Sequence, residues 1–212
     1  MIDLYTFPTP NGWKVSIMLE ELGLPYNTHI VHIGKDEQFK PEFLKISPNN
    51  KIPAIVDSEG PGGKPIAVFE SAAILVYLAQ KTKSPLLPSD PRGFTIVMEW
   101  LFFQMASVGP MFGQMGHFVK FAKEKVPYGI QRYTDESKRI LGVMDRQLAA
   151  NAYLAGADYS IADIACHGWI IAASRTIEGG LEAWPHVKAW HEKVGTRPAV
   201  QRGLTVPTLP PS

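Results

Sequence analysis

The stretch Ser47-Pro48-Asn49-Asn50-Lys51-Ile52-Pro53-Ala54-Ile55-Val56-Asp57, with Phe69-Glu70-Ser71-Ala72-Ala73-Ile74-Leu75 downstream, decides how the first part of this chain folds. Pro48, Asn49 and Asn50 are turn formers. The Ile52-Pro53 bond leads into a short apolar run at residues 54–56, which reads as a strand. Gly60-Pro61-Gly62-Gly63 marks the turn of a hairpin that returns along residues 66–69. Glu70-Ser71 then opens a helix over residues 71–80, with Ile74, Leu75 and Leu78 on one face. The strand entry can hold a peptide backbone and the helix start can hold a carboxylate.

Outward from that stretch, residues 2–7 read as a strand ending at Pro8. Residues 12–23 carry Trp13, Ile17, Met18, Leu19 and Leu22 at helical spacing and stop at Gly23. Residues 26–33 contain β-branched Thr28, Ile30, Val31 and Ile33 and read as a second strand, with a short helix over 41–46. The order of these elements is that of a thioredoxin-like domain over residues 1–82. Residues 83–91 hold Pro85, Pro88 and Pro91 and read as a linker.

Beyond the linker strand signals nearly vanish, so residues 92–212 are expected to form an all-helical domain. Its helices are expected at 92–124, broken or bent at Gly109-Pro110, and at 128–150, 161–177 and 185–195, with an irregular tail over 206–212. Ser160-Ile161-Ala162-Asp163 has the spacing of a capping box, with Tyr159 placed to staple onto Ile164. Asp163 therefore reads as a buried helix start; a catalytic carboxylate is the competing role.

The chain has 212 residues, 45% apolar and 19% charged, with a formal net charge of +1. No field attracts nucleic acid or an acidic membrane. No run approaches the ~20 apolar residues of a membrane span. Met1 leads straight into Ile2-Asp3-Leu4-Tyr5, without the pattern of a signal peptide. A single cysteine, Cys166, excludes an internal disulfide framework, so a cytoplasmic protein is expected. No metal site is expected, because His29, His32, His167, His186 and His191 show no ligand spacing.

A thioredoxin-like half, a proline-rich linker, a helical half and the Ser-Ile-Ala-Asp box together resemble the glutathione transferase superfamily. The loop Pro8-Thr9-Pro10-Asn11-Gly12 and the run from Val126 to Tyr133 narrow the resemblance to bacterial Nu-class disulfide-bond oxidoreductases, relatives of the fungal nitrogen-regulator-like transferases. The resemblance implies a homodimer that uses glutathione as co-substrate, holds no tightly bound cofactor, and acts on an organic disulfide or electrophile. It implies that Ser71 takes the γ-glutamyl carboxylate and Glu70 the γ-glutamyl amine. Ile52, before a cis Pro53, would pair with the cysteinyl backbone. Gln38 and Lys51 would contact the backbone and the other carboxylate, Arg132 a second glutathione, and Asn11 and Thr9 the sulfur.

Where a thioredoxin carries Cys-x-x-Cys, this chain reads Thr9-Pro10-Asn11-Gly12. Cys166 lies in an apolar helical run and reads as an inert core residue. Any thiol chemistry must then use the sulfur of bound glutathione. A free thiol of pKa ~8.5 is only ~3% thiolate at pH 7, and lowering that pKa by about two units takes ~2.7 kcal/mol. One charge-assisted hydrogen bond supplies ~1.5–3 kcal/mol, so donors from Thr9 and Asn11 would suffice. Asn11 also reads as an N-cap. Tyr5, the other candidate for activating the thiol, reads as packing.

Trp100, Phe103, Met105, Met111, Phe112, Met115 and Phe118 divide between core packing and an acceptor pocket. The expected reaction is thiol–disulfide exchange, with weak reduction of organic hydroperoxides as a companion activity. Two alternatives are conjugation of an electrophilic carbon by the same thiolate and a non-catalytic regulator that keeps only the scaffold. The absence of an Asn/Gln-rich extension ahead of the first strand argues against the regulator.

Overall fold

The computed structural model describes residues 1–209; Pro210, Pro211 and Ser212, the end of the tail expected to be irregular, lie outside the described residues. The described chain forms two compact units, Met1–Ser84 together with the residues from Arg197 on, and Pro85–Thr196.

The first unit begins with β1 (Ile2–Thr6), α1 (Pro10–Leu22), β2 (Tyr26–Ile30) and a short α2 (Pro41–Leu44). It continues with β3 (Ala54–Asp57), β4 (Ile66–Phe69) and α3 (Ser71–Thr82). The sheet order is β2-β1-β3-β4. β1 runs parallel to β2 and antiparallel to β3, and β3 pairs antiparallel with β4, in the register Leu4↔Thr28, Leu4↔Ile55 and Ile55↔Val68. This is the thioredoxin-like arrangement. Ile2, Leu4 and Thr6 alternate into the core, as the two-residue period of a strand requires. Val15, Ile17, Met18 and Leu19 of α1 and Ile74, Leu75 and Leu78 of α3 are buried as well.

The second strand is shorter than its β-branched residues suggest. Val31 N still donates to Thr6 O at 2.9 Å, but His32 N turns to the Glu37 carboxylate at 2.7 Å. Two 3₁₀ turns follow, Ile33–Lys35 and Glu37–Phe39, hinged on Asp36 at φ 58°. Strand propensity at Ile33 gives way to a turn set by Asp36 and Glu37.

The second unit carries α4 (Pro91–Phe103), α5 (Gly109–Gly116), α6 (Pro127–Ala150), α7 (Ile161–Ser174) and α8 (Pro185–Gly195). The expected break at Gly109-Pro110 is instead a π turn over Gln104–Val108, with Gly109 N bonded to Gln104 O, and helix continues through it. Pro110 has no N–H to give and its ring presses on the preceding turn, so a wider turn just before it relieves both problems. A second π turn, His117–Phe121, ends the run. Asp90 caps α4 through Gly93 N at 2.8 Å.

The capping box at Ser160 and Asp163 opens α7 as the sequence expects. Asp163 is fully buried and accepts from Ser160 N, Ser160 Oγ, Leu154 N and Trp190 Nε1 at 2.9–3.1 Å. It is a structural keystone of this unit. α8 is capped from α6: Asp145 accepts from His186 N and Val187 N at 2.9 and 3.1 Å.

The end of the chain departs from the expected domain boundary. α9 (Pro198–Gly203) belongs to the first unit, not to the helical one. Ser16 Oγ on α1 donates to Gly203 O at 2.7 Å, and Arg197 forks onto Glu21 at 2.7 and 2.8 Å. A Cβ at Gly203 would stand 2.6 Å from the Ile17 backbone, so only glycine permits this approach. The expectation that residues 92–212 form one domain missed this because the contact joins segments far apart in the chain, Ser16, Ile17 and Glu21 on α1 with Arg197 and Gly203.

Candidate functional site

The loop after β1 feeds directly into α1. Gly12 packs so tightly that a Cβ there would sit 2.2 Å from Phe7 O. Thr9, not Asn11, is the N-cap of α1: its Oγ1 accepts from Gly12 N at 3.1 Å. That bond uses an oxygen lone pair and leaves the Thr9 hydroxyl proton as a donor. Pro10 occupies the first turn, where no N–H is missed. Asn11 follows, half-buried, inside the first turn rather than at the cap.

Tyr5 is held by packing. Its ring stacks on His29 at 4.6 Å between centroids and meets Phe43 at 6.4 Å. It packs against a small cluster of Val31, Phe43 and Ala54, together with Ile46 and Ile52. Burial, and then the charge of Asp3, pushes its phenol above the usual tyrosine range. A phenol made less acidic is a poorer partner for a thiolate.

The second wall comes from the loop before β3. Ser47 Oγ donates to Lys51 O at 2.9 Å, and Asn50 turns the chain at φ 47°. The Ile52-Pro53 bond is cis, as the resemblance implies. Pro53 is buried, Ile52 is half-buried and Lys51 is exposed. Among the described residues the backbone N–H and C=O of Ile52 have no hydrogen-bond partner. They stand one residue ahead of Ala54, which pairs with Tyr5 and Phe69 in the sheet, so the pattern could be extended by a ligand backbone.

The third wall is the start of α3. Glu70 occupies a left-handed conformation, φ 68° and ψ 115°, and no side chain caps the helix. Such a conformation costs about 1–3 kcal/mol in a residue with a Cβ, and it persists where the surroundings hold it. Asn49 Nδ2 reaches the Glu70 carboxylate at 3.4 Å. Ser71 is the first helical residue and is buried, and its Oγ accepts from Lys14 Nζ at 3.2 Å. Lys14 itself is only 1% exposed.

The structure thus joins Glu70, Ser71 and the Lys51–Pro53 turn through the β3–β4 pairing, and joins Ser71 to the helix that Thr9 and Asn11 open. Gln38 lies in the turn after β2, and its Oε1 is buried without a hydrogen-bond partner among the described residues. A buried orphan acceptor of this kind calls for a ligand or water. Arg132 belongs to the second unit, exposed on α6, near Glu136, whose carboxyl is kept below its usual range chiefly by the hydrogen bond from Arg139 and only lastly by the Arg132 charge. Of the expected pocket residues, Phe112 and Met115 are core, while Trp100, Phe103, Met105, Met111 and Phe118 are only partly buried. Lys14 was not anticipated from the sequence. Its signal was a lysine one turn ahead of buried Met18 on an otherwise apolar face.

Cys166 is fully buried in α7. Among the described residues no group of three or more His, Cys, Asp or Glu side chains could hold a metal ion, and no helix is long and apolar enough to cross a membrane.

The described chain thus carries a thioredoxin-like unit, with a cis-proline turn beside its sheet, and a helical unit. Residues 9–81 match the family model for the glutathione S-transferase N-terminal domain, and residues 111–198 match that for the C-terminal domain. The chain is 48% identical over 205 residues to the disulfide-bond oxidoreductase YfcG of Escherichia coli K12, covering 96% of this chain and 94% of the relative. A crystal structure of a glutathione transferase family member from Pseudomonas fluorescens with two glutathione bound superposes with a TM-score of 0.93 at 48% identity, covering 97% of this chain and 93% of that one. A glutathione transferase from Pseudomonas putida with one glutathione disulfide bound per subunit gives a TM-score of 0.92 at 47% identity, covering 97% and 91%. The chain belongs to the glutathione S-transferase family.

Proposed function

We propose that this protein is a glutathione-dependent disulfide-bond reductase. Glutathione binds with its γ-glutamyl carboxylate at Ser71, its amine near Glu70, and its cysteinyl backbone against Ile52 and Pro53. Gln38 and Lys51 take the glycyl end. Thr9 and Asn11 donate to the sulfur and keep it ionised. The thiolate attacks one sulfur of an organic disulfide: a new sulfur–sulfur bond forms, the old one breaks, and the second half leaves as a thiolate that takes a proton from water. A second glutathione thiolate then attacks the mixed disulfide at the glutathione sulfur. Oxidised glutathione and the second substrate thiol are the products. Arg132 has the fork geometry to hold a carboxylate of that second tripeptide. The reading includes a cytoplasmic homodimer, with the second-substrate pocket in the helical unit.

The observation that carries this reading is the pairing of a donor loop at Thr9 with a chain whose one cysteine is fully buried in α7. The protein has no exposed thiol of its own, so the redox thiol must come from the ligand. Two relatives, a disulfide-bond oxidoreductase and a transferase crystallised with glutathione disulfide, support the same chemistry. Parallel assays with 2-hydroxyethyl disulfide and with a chloronitroaromatic test it. Glutathione-dependent turnover is expected to be far higher with the disulfide. Efficient conjugation of the chloronitroaromatic with no disulfide turnover would replace this reading with that of a conjugating transferase.

A further inference from the structure

Side chains alternate along a strand, so Tyr5 leaves β1 on the face opposite Leu4 and Thr6. On that side the first unit holds a hollow of about 230 Å³ that shares no lining residue with the glutathione reading. Val31, Phe43 and Ile46 give it an apolar floor, with Val31 and Phe43 only 6% and 4% exposed. Tyr5 and His29 form an aromatic wall, their rings stacked 4.6 Å apart and 16° from parallel. His29 is held there by Nε2 against Asp3 Oδ1 at 2.9 Å. β2 is an edge strand, so no further strand covers this side of the sheet.

The charged part of the lining is uneven. Glu37 is committed, accepting from His32 N at 2.7 Å and from Lys40 Nζ at 3.0 Å. The Lys40 ammonium is answered by the same bond. Glu42, exposed in the first turn of α2, has no hydrogen-bond or ion-pair partner among the described residues. The lining therefore sets two carboxylates against one ammonium, next to aromatic faces that themselves attract cations.

We propose that this hollow binds a small aromatic amine, its ring against the Tyr5–His29 stack and its ammonium paired with Glu42. Size limits the ligand to about one ring, because pockets for drug-sized molecules run to roughly 300–1,000 Å³. Charge selects an amine over an acid. An arylcarboxylate would meet Glu37 and Glu42 and would find Lys40 already paired. The site is additional to the one proposed for glutathione and takes no part in the disulfide reaction.

The test titrates the full chain, labelled with nitrogen-15, with 2-phenylethylamine, 2-phenylethanol and 3-phenylpropionate, following the amide resonances. The amine should bind saturably with an affinity of about millimolar, ordinary for a one-ring ligand. Its largest shifts should fall at Ile30, Val31, Lys40, Phe43 and Ile46, and saturating glutathione should not displace it. The alcohol should bind about three- to fivefold more weakly, the worth of one solvent-exposed charge pair, and the acid more weakly still. E42Q should bring the amine down to the level of the alcohol and leave the alcohol, thermal unfolding and disulfide turnover as in wild type. H29A should weaken amine and alcohol alike by removing half of the wall; if it fails to fold, H29L supplies the same comparison. Shifts centred on Thr9, Ile52 or Ser71, or displacement by glutathione, would overturn the proposal. So would a titration that never saturates, an acid that binds as tightly as the amine, or an E42Q protein that keeps the full preference for the amine.

Discussion

Thr9 has two tasks in this structure, and a substitution series separates them. Its oxygen caps α1 through Gly12 N at 3.1 Å, and its proton is proposed to serve the glutathione sulfur. Losing the cap costs about 1 kcal/mol of stability. Losing a donor to a thiolate costs ~1.5–3 kcal/mol, which raises the bound thiol pKa by roughly one to two units. If the bound pKa lies near ~6.5, the thiolate fraction at pH 7 falls from about 75% to somewhere between about 3% and 25%. Thr9→Ala loses both tasks. Thr9→Asp keeps a strong cap, gives no proton and sets a negative charge beside the sulfur. Thr9→Ser keeps both. Thermal unfolding should rank Asp and Ser near wild type and Ala below. Thiolate absorbance of bound glutathione, titrated with pH, should rank pKa in the order Asp above Ala above Ser. Disulfide reduction should follow in the opposite order. A Thr9→Asp protein with wild-type activity would show that capping is all Thr9 does.

Asn11→Ala should lower turnover far more than Tyr5→Phe, with little loss of stability, because Thr9 and not Asn11 caps α1; equal activity of Asn11→Ala and wild type would remove Asn11 from the mechanism. His167 is buried, touches His191 Nδ1 at 3.2 Å, and is depressed by burial to about 3. Between its unfolded value of 6.5 and that folded value, only the unfolded chain takes up the proton, so stability should fall as pH drops through this window. The slope for this one site is roughly 1.4 kcal/mol per pH unit, and His167→Asn should flatten the acid limb measured by urea titration at several pH values. Asp163→Ala strands four buried or part-buried donors and should cost ~3 kcal/mol or more, read as a shift in the urea midpoint.

Local chemistry was legible in the sequence wherever one short segment contained the whole cause. The Gly60-Pro61-Gly62-Gly63 hairpin, the Ser160–Asp163 capping box and the Ser71 helix start each depend on neighbours a few residues apart. What stayed hidden depends on distant partners. Glu37 reaching back to His32 ends the second strand early, and nothing in the β-branched run announces it. Asp145 caps α8 through His186 N, 41 positions away. The docking of α9 on α1 needs a missing Cβ at Gly203 against Ile17, a fit between segments far apart in the chain. Lys14 drew no reading from the sequence because its partner, Ser71, lies 57 residues on.

The central claim is that the working sulfur belongs to the bound tripeptide. Reduction of 2-hydroxyethyl disulfide by Cys166→Ala protein, with glutathione and then with dithiothreitol in its place at matched thiolate concentration, tests it most directly. With glutathione the variant should turn over within about twofold of wild type, since Cys166 is buried and unreactive, and with dithiothreitol it should add nothing to the buffer rate. Loss of activity in Cys166→Ala protein that still folds, or full acceleration with dithiothreitol alone, would contradict the claim.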